Sequence, residues 1–403
     1  VLSYLSDWLG LFLRWLHLVA GIAWIGSSFY FVWLDNHLQP LRQDERADAD
    51  VAGELWAVHG GGFYRSRKYR VSPPQLPPTL HWFYWEAYTT WWSGFALLCL
   101  LYFFRAEGYL IDPAVASLSK PLAIGIALGV LIGSWIIYDR LCRSPLARRP
   151  VGLAVVLGVL FTALAWGLCH LFSGRGAFMI FGASIGTIMV ANVAMVIIPG
   201  QRELVRAKQE GRAVDPQPGL RGKQRSVHNT YFTLPVLFVM ISNHYAMTYG
   251  ARNNWLVLTA LCVAGACTRA WFVARHRPRE QRGAVAALPL VIAVLSVGAV
   301  VYALIPSTVS TGSASLPGPR PETARVAAIV ELRCAPCHST TPTQPGFSAP
   351  PNGLVFQKLD QLNAHLPEVQ QQLTMRTMPL GNLTMMTEDE RAQLLMWIGH
   401  RQH

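Results

Sequence analysis

The chain has 403 residues, and only 14% of them are Asp, Glu, Lys or Arg, against about 25% in an ordinary soluble domain. Hydrophobic residues make up 52%, which excludes a soluble globular enzyme and a disordered chain alike. The formal net charge is +12. The basic residues lie between long apolar runs and form no basic-aromatic patch, so membrane orientation explains them and nucleic acid is excluded as a partner.

A membrane-spanning helix needs about 20 mostly apolar residues. Eight segments are read as spans: 8–34, 80–104, 121–138, 150–172, 177–198, 230–250, 254–274 and 284–305. The first run is too long for a cleavable signal sequence. The expected fold is all-α: an eight-span transmembrane helical bundle over 1–306, a Ser/Pro/Gly linker over 307–321 and a small helical domain over 322–403. The loops after spans one, three, five and seven are basic. They carry Arg42, Arg46, Arg65, Arg67, Lys68 and Arg70; Arg140, Arg143, Arg148 and Arg149; Arg202, Arg206, Lys208, Arg212, Arg221, Lys223 and Arg225; and Arg275, Arg277, Arg279 and Arg282. The other loops carry only Arg105, Lys120, Arg175 and Arg252. The basic side is cytoplasmic, which places both termini in the periplasm of a bacterial inner membrane, in contact with lipid.

Ionisable groups inside spans are costly and point to function. In span one, Arg14, His17, Gly21, Trp24 and Ser28 share one helical face. His17 is a candidate haem b ligand in the outer half, Arg14 a propionate partner, and Gly21 leaves room for the macrocycle. The plainer alternative is a His bonded to a neighbouring helix. The following loop reads His59-Gly60-Gly61-Gly62-Phe63-Tyr64, whose glycines would permit close backbone approach to a ligand.

Span two opens with His81 at the inner boundary and Glu86 one turn inside, with Thr89, Thr90 and Ser93 forming a polar stripe. Glu86 is a candidate base, and His81 a candidate substrate contact. In span five, Asn192 faces the inner half. In span six, Asn229, Thr233, Met240 and His244 fall within one arc, with His228 at the inner mouth and Pro235 at mid-depth. His228 is the rival base, while Asn192, Asn229 and Thr233 would hold a polar heterocycle. His244 is taken to lie at the depth of His17, as the second haem b ligand, with His170 of span four as its rival.

Cys334-Ala335-Pro336-Cys337-His338 is C-x-x-C-H, the attachment signature of a covalent haem c. Cys334 and Cys337 would form the thioethers and His338 the proximal iron ligand. Met378, before Pro379, is the chosen sixth ligand, with Met375, Met385 and Met386 as alternatives. A capping box, Thr387 with Glu390, starts the last helix. The segment is similar to the end of class I cytochromes c. Haem attachment requires an outer, maturation-competent location, which agrees with the loop charges.

The strings HGGGFY, HWFYWEAYTTWWSGFALL, GTIMVANVAMVIIPGQR and HNTYFTLPVLFVMISNHY, followed by CAPCH, resemble the bacterial integral-membrane urate oxidases fused to cytochrome c. The resemblance runs along essentially the whole chain. It implies oxidation of urate to 5-hydroxyisourate, with electrons passed to haem c and on to a downstream cytochrome c or terminal oxidase, without hydrogen peroxide. The shorter HLVAGIAWIG resembles small haem-binding membrane proteins of the protoporphyrinogen-oxidising and copper-resistance types. Two other functions fit the residues: a quinol or other donor:cytochrome c oxidoreductase, and a haem-handling or transport protein with a tethered cytochrome.

Overall fold

The computed structural model describes residues 2–41, 50–275, 287–305, 321–344, 347 and 349–402. The linker read at 307–321 lies almost wholly outside the described residues, as do Arg42, Arg46, Arg277, Arg279 and Arg282.

The chain is mostly helical. In order come α1 (Leu2–His37), β1 (Val51–His59), β2 (Gly62–Tyr69), α2 (Trp85–Leu98), α3 (Ala106–Tyr109), α4 (Lys120–Arg143), α5 (Pro150–Cys169), α6 (Gly174–Asn192), α7 (Ile198–Gln209) and α8 (Gln217–Ser242). They are followed by α9 (Ala246–Tyr249), α10 (Asn254–Ala274), α11 (Leu288–Ala303), α12 (Thr323–Arg333), α13 (Leu366–Thr374) and α14 (Glu388–Gln402). Among the described residues, five helices are long and apolar enough to cross a membrane: Tyr4–His37, Lys120–Arg143, Pro150–Cys169, Gly174–Gln209 and Asn254–Ala274. The fourth is α6 and α7 joined through a π-helical turn at Val193–Ile197. Local chemistry sets the helix starts. Pro stands in the first turn of α4, α5, α7, α8 and α11, where its missing N–H is not needed. The Ser173 hydroxyl caps α6 by accepting from Gly176 N–H at 3.0 Å.

The all-α expectation requires one correction. Val51–His59 and Gly62–Tyr69 pair as an antiparallel hairpin. Gly60 and Gly61 are its two-residue turn, both at positive φ, 57° and 82°, the geometry that matches the right-handed twist of the strands. The glycines therefore serve the turn, and His59 beside them is exposed. Glu54 is the hairpin's buried charge, paired with Arg65 at 2.6 Å and Arg67 at 3.2 Å. Burial alone would raise its carboxyl; the two guanidiniums outweigh that and hold it below the usual carboxylate range.

The bundle core sits around α6, whose buried face runs from Gly176 to Asn192. Gly182 lets α8 approach: a Cβ there would lie 2.4 Å from Val239. Gly265 does the same for α10 against the backbone at Leu234 and Pro235. By contrast α1, α5 and α11 expose large apolar side chains such as Leu5, Trp8, Val155 and Leu295, the surface expected against lipid. This is a membrane protein.

The C-terminal unit has its own core, in which Val326, Ile329 and Val330 of α12 meet Leu394, Trp397 and Ile398 of α14. The predicted capping box is present: Glu390 N–H donates to Thr387 Oγ1 at 3.2 Å and Thr387 N–H to Glu390 Oε2 at 2.8 Å. The unit rests on one end of the bundle, where the turn at Leu380–Asn382 packs on α3. Gly381 has φ +53°, and a Cβ there would lie 2.8 Å from the Glu107 carbonyl oxygen and 2.9 Å from that of Gly108. Gly250 likewise admits the Met375 carbonyl, 2.6 Å from where its Cβ would be. This is the docked end; the opposite, basic end carries Arg140, Arg143, Arg206 and Lys208.

Candidate functional site

Toward the basic end, α4, α6 and α8 enclose a buried polar network. Asn192 is fully buried, Arg225 is 2% exposed and Asn229 8%. The Asn192 amide nitrogen donates to Asn229 Oδ1 at 2.8 Å and to the Tyr138 hydroxyl at 3.1 Å. Asn229 donates in turn to the Met189 carbonyl at 3.0 Å. Arg225 pairs with Asp139 at 2.8 Å and reaches Asn192 Oδ1 at 3.5 Å, with its guanidinium over the Tyr138 ring. The Tyr138 hydroxyl lies 2.7 Å from His228 Nδ1. That hydroxyl accepts from Asn192 and has its own hydrogen to give; where it donates to Nδ1, His228 carries its proton on Nε2.

Helix registers extend this layer. The Trp91 indole donates to Thr187 at 3.1 Å across antiparallel α2 and α6. Five residues further toward the basic end on each helix stand Glu86 and Asn192. The approach of Gly265 to Leu234 and Pro235 sets antiparallel α10 against α8. One turn on, toward the same end, stand Arg269 and Tyr231. Glu86, Asn192, His228, Asn229 and Arg269 thus fall within about one helical turn in height.

The sequence grouping of Asn192, His228 and Asn229 becomes a bonded cluster. Thr233 is buried with them, but its hydroxyl donates to the Asn229 carbonyl at 2.9 Å. Glu86 is half-buried in the first turn of α2; its carbonyl accepts from the Thr90 hydroxyl at 2.6 Å, and no hydrogen bond or ion pair to its carboxylate occurs among the described residues. His81 is exposed and packs edge-on against Phe83. Sequence reasoning missed Tyr138, Asp139 and Arg269, and took Arg225 for loop charge.

At the docked end the expected pairing of His17 with His244 does not fit. His17 donates from Nδ1 to the Thr90 carbonyl at 2.9 Å, and its ring lies over Gly94. His244 is exposed in a turn beyond the end of α8. Its neighbour Asn243 accepts from Tyr102, nine residues beyond Ser93 on the α2 path. The two histidines therefore differ in height by roughly 12 Å, whereas two ligands of one iron must face each other. The equal-depth reading fails because the helix breaks after Ser242. Arg14 is exposed, and His170 donates to its own helix at Trp166. In this structure His17 and His170 bond to backbone carbonyls, and His17 and His244 are not brought face to face.

In the C-terminal unit, Cys334 and Cys337 are free thiols. His338 donates from Nδ1 to the Leu354 carbonyl at 3.0 Å. This fixes the tautomer and leaves the Nε2 lone pair available to a metal. Arg391 donates to the carbonyls of Met378 at 2.7 Å and Leu373 at 3.1 Å, which holds the Met378 segment against α13 and α14. Met386 is buried in the core and Met385 is exposed. The free thiols and the oriented His338 fit a covalent haem c. Among the described residues, no cluster of three or more His, Cys, Asp or Glu side chains is built to hold a bare metal ion. Burial alone would raise the Glu390 carboxyl; Arg333 and the Thr387 cap hold it below its ordinary range.

A family model described as urate oxidase N-terminal matches residues 3–303. The Na(+)/H(+) antiporter NhaA of Haemophilus ducreyi is 32% identical over 125 residues, which are 27% of this chain and 32% of the antiporter. The match thus spans about a third of the length of that curated relative. No solved structure matches.

Proposed function

The chain belongs to the urate oxidase N-terminal family, and from that premise we propose that it is a membrane-bound oxidase that converts urate to 5-hydroxyisourate and passes the electrons to its own C-terminal haem c. The reaction consumes one water and releases two protons and two electrons. The observation that carries the reading is the layer of Glu86, Asn192, His228 and Asn229 inside a bundle matched by the family model over 301 residues, 3–303.

In this reading eight helices span the inner membrane, with the basic end in the cytoplasm and the docked end in the periplasm. Three of these segments, at α2, α8 and α11, are carried by helices outside the five long apolar ones. Glu86, with no partner for its carboxylate, takes a proton from bound urate. His228, protonated on Nε2, donates a hydrogen bond to a urate oxygen, a role the Tyr138 hydroxyl enforces by occupying Nδ1. Asn192 and Asn229 hold these groups in place by their mutual bond. Cys334, Cys337 and His338, with Met378, would hold a haem c, and that group would supply one-electron chemistry for the two electrons that urate releases. A respiratory cytochrome c or terminal oxidase takes them onward.

The test uses the full chain purified in detergent. A pyridine haemochrome assay, which counts c-type and b-type haem separately, is expected to give one haem c per chain. Anaerobic urate is expected to reduce that haem, with 5-hydroxyisourate formed and no hydrogen peroxide in air. A Cys334→Ala/Cys337→Ala double variant is expected to carry no covalent haem. Covalent haem without urate-dependent reduction would move the function to another donor, such as a quinol.

A further inference from the structure

Arg269 lies on α10, five residues before its end, inside a helix apolar enough to cross a membrane. It is 9% exposed. Its Nε and one terminal nitrogen have no hydrogen-bond partner among the described residues. Its guanidinium carbon stands 4.0 Å from the centre of the Phe29 ring of α1. Among the described residues no carboxylate pairs with it, and Tyr231 of α8 is an ionisable neighbour. A buried guanidinium with donors unsatisfied is a standing cost to the fold. A polar group left in that state inside a spanning helix marks a ligand path by default.

The height of Arg269 decides what that ligand is. The α8–α10 register sets it beside Tyr231, level with Asn229 and within a turn of Glu86 and Asn192. The two idle nitrogens are adjacent atoms of one planar fork, which matches a flat oxoanion better than a point charge. The Phe29 ring on one side of that fork supplies an aromatic wall.

We infer that Arg269, backed by Phe29, is the seat of the anionic edge of a planar purine, the monoanion of urate under the proposed function. The inference rests on that reading for the identity of the ligand. In this arrangement the guanidinium fixes the anionic edge between α1, α8 and α10, and turns the rest of the ring toward the layer that carries Glu86 and His228. Arg269 supplies affinity and orientation and takes no proton.

The test is urate binding by equilibrium dialysis, with thermal unfolding of the same protein, on the wild-type chain and on Arg269→Gln, Arg269→Lys and Arg269→Met. Arg269→Gln is expected to weaken urate binding by 10- to 100-fold, as an order of magnitude for losing a charged hydrogen-bond pair, and Arg269→Lys to recover part of it. Arg269→Met is expected to raise the unfolding temperature without urate, because a buried unpaired charge is gone, and to abolish the upward shift that urate gives the wild type. Urate affinity within threefold of wild type in Arg269→Gln overturns the inference and leaves the proposed function standing. So does an Arg269→Met protein less stable than wild type without urate, or failure of all three variants to fold, since each marks a structural role. A wild-type chain that binds no urate removes the proposed function and this seat with it.

Discussion

Two arginines are buried toward the basic end of the bundle, one on α8 and one on α10, and their surroundings differ. Arg225 has a carboxylate at 2.8 Å, an amide oxygen at 3.5 Å and an aromatic ring beneath it. Arg269 has the ring and no anion. The first is a finished structural element, which ties α8 to α4 and orders Asn192. The second is complete only with something added. Satisfaction of hydrogen bonds, more than burial or charge, separates the part of this layer that holds the fold from the part that receives a ligand.

The contrast can be broken at several points. The largest effect is expected from Arg225→Ala, which removes the buried cation of Asp139, leaves it only the exposed Arg143 at 2.7 Å, and strips Asn192 of its guanidinium neighbour. Breaking one side of a buried pair costs about 3–5 kcal/mol, enough to remove most folded protein, as read by yield and unfolding temperature. Stability within about 1 kcal/mol of wild type would show that the network is ornamental and that the two arginines do not differ in kind.

Glu86→Gln keeps the shape and removes the basic carboxylate. Urate-dependent haem reduction is expected to fall by about 10²–10⁴-fold, the usual share of a general base, with little change in urate affinity. His228→Asn is expected to lose less, since His228 donates and does not accept. The reverse order in stopped-flow measurements would exchange their roles. Asn229→Ala, which leaves Asn192 only the Tyr138 hydroxyl as acceptor, is expected to cost about 1–3 kcal/mol, seen in stability and in weaker urate binding together.

The smallest effect contrasts the bundle with the C-terminal unit. Glu390 is depressed in the folded state, so its contribution is complete above its unfolded value, about 4.3. It is lost as pH falls through the lower folded value. Unfolding of the C-terminal unit, followed by its Trp397 fluorescence, is expected to be flat above about pH 5 and to weaken below pH 4, and Glu390→Gln to flatten that slope. An unchanged acid slope in the variant would mean that Arg333 contributes nothing through this carboxylate.

Much of the scaffold was legible because apolar run length and loop chemistry are local. The helix starts at Pro121 and Pro150 and the capping box at Thr387 follow from neighbours in sequence. The pairing of Asn192 with Asn229 was legible as a shared inner zone, because polar amides inside apolar helices must meet. The hairpin was hidden by a search tuned to helices, although Gly60-Gly61 between strand-like residues is a turn signal. His244 was misplaced by carrying one helical period past Ser242, where the chain turns. Arg269 was passed over because an Arg near the basic side of a span reads as orientation charge. Only the approach of Phe29, distant in sequence, shows that it is buried.

The seat of Gly381 on the carbonyls of Glu107 and Gly108 carries a kinetic consequence. The loop that follows Met378 and the bundle surface it touches belong to one chain, so their encounter is unimolecular. Its rate does not fall on dilution, and its effective concentration is set by the chain that joins the two units. A soluble carrier would have to displace the resident loop against that concentration to reach the same surface. A diffusing partner that docks on the C-terminal unit without displacing that loop must therefore use a different face.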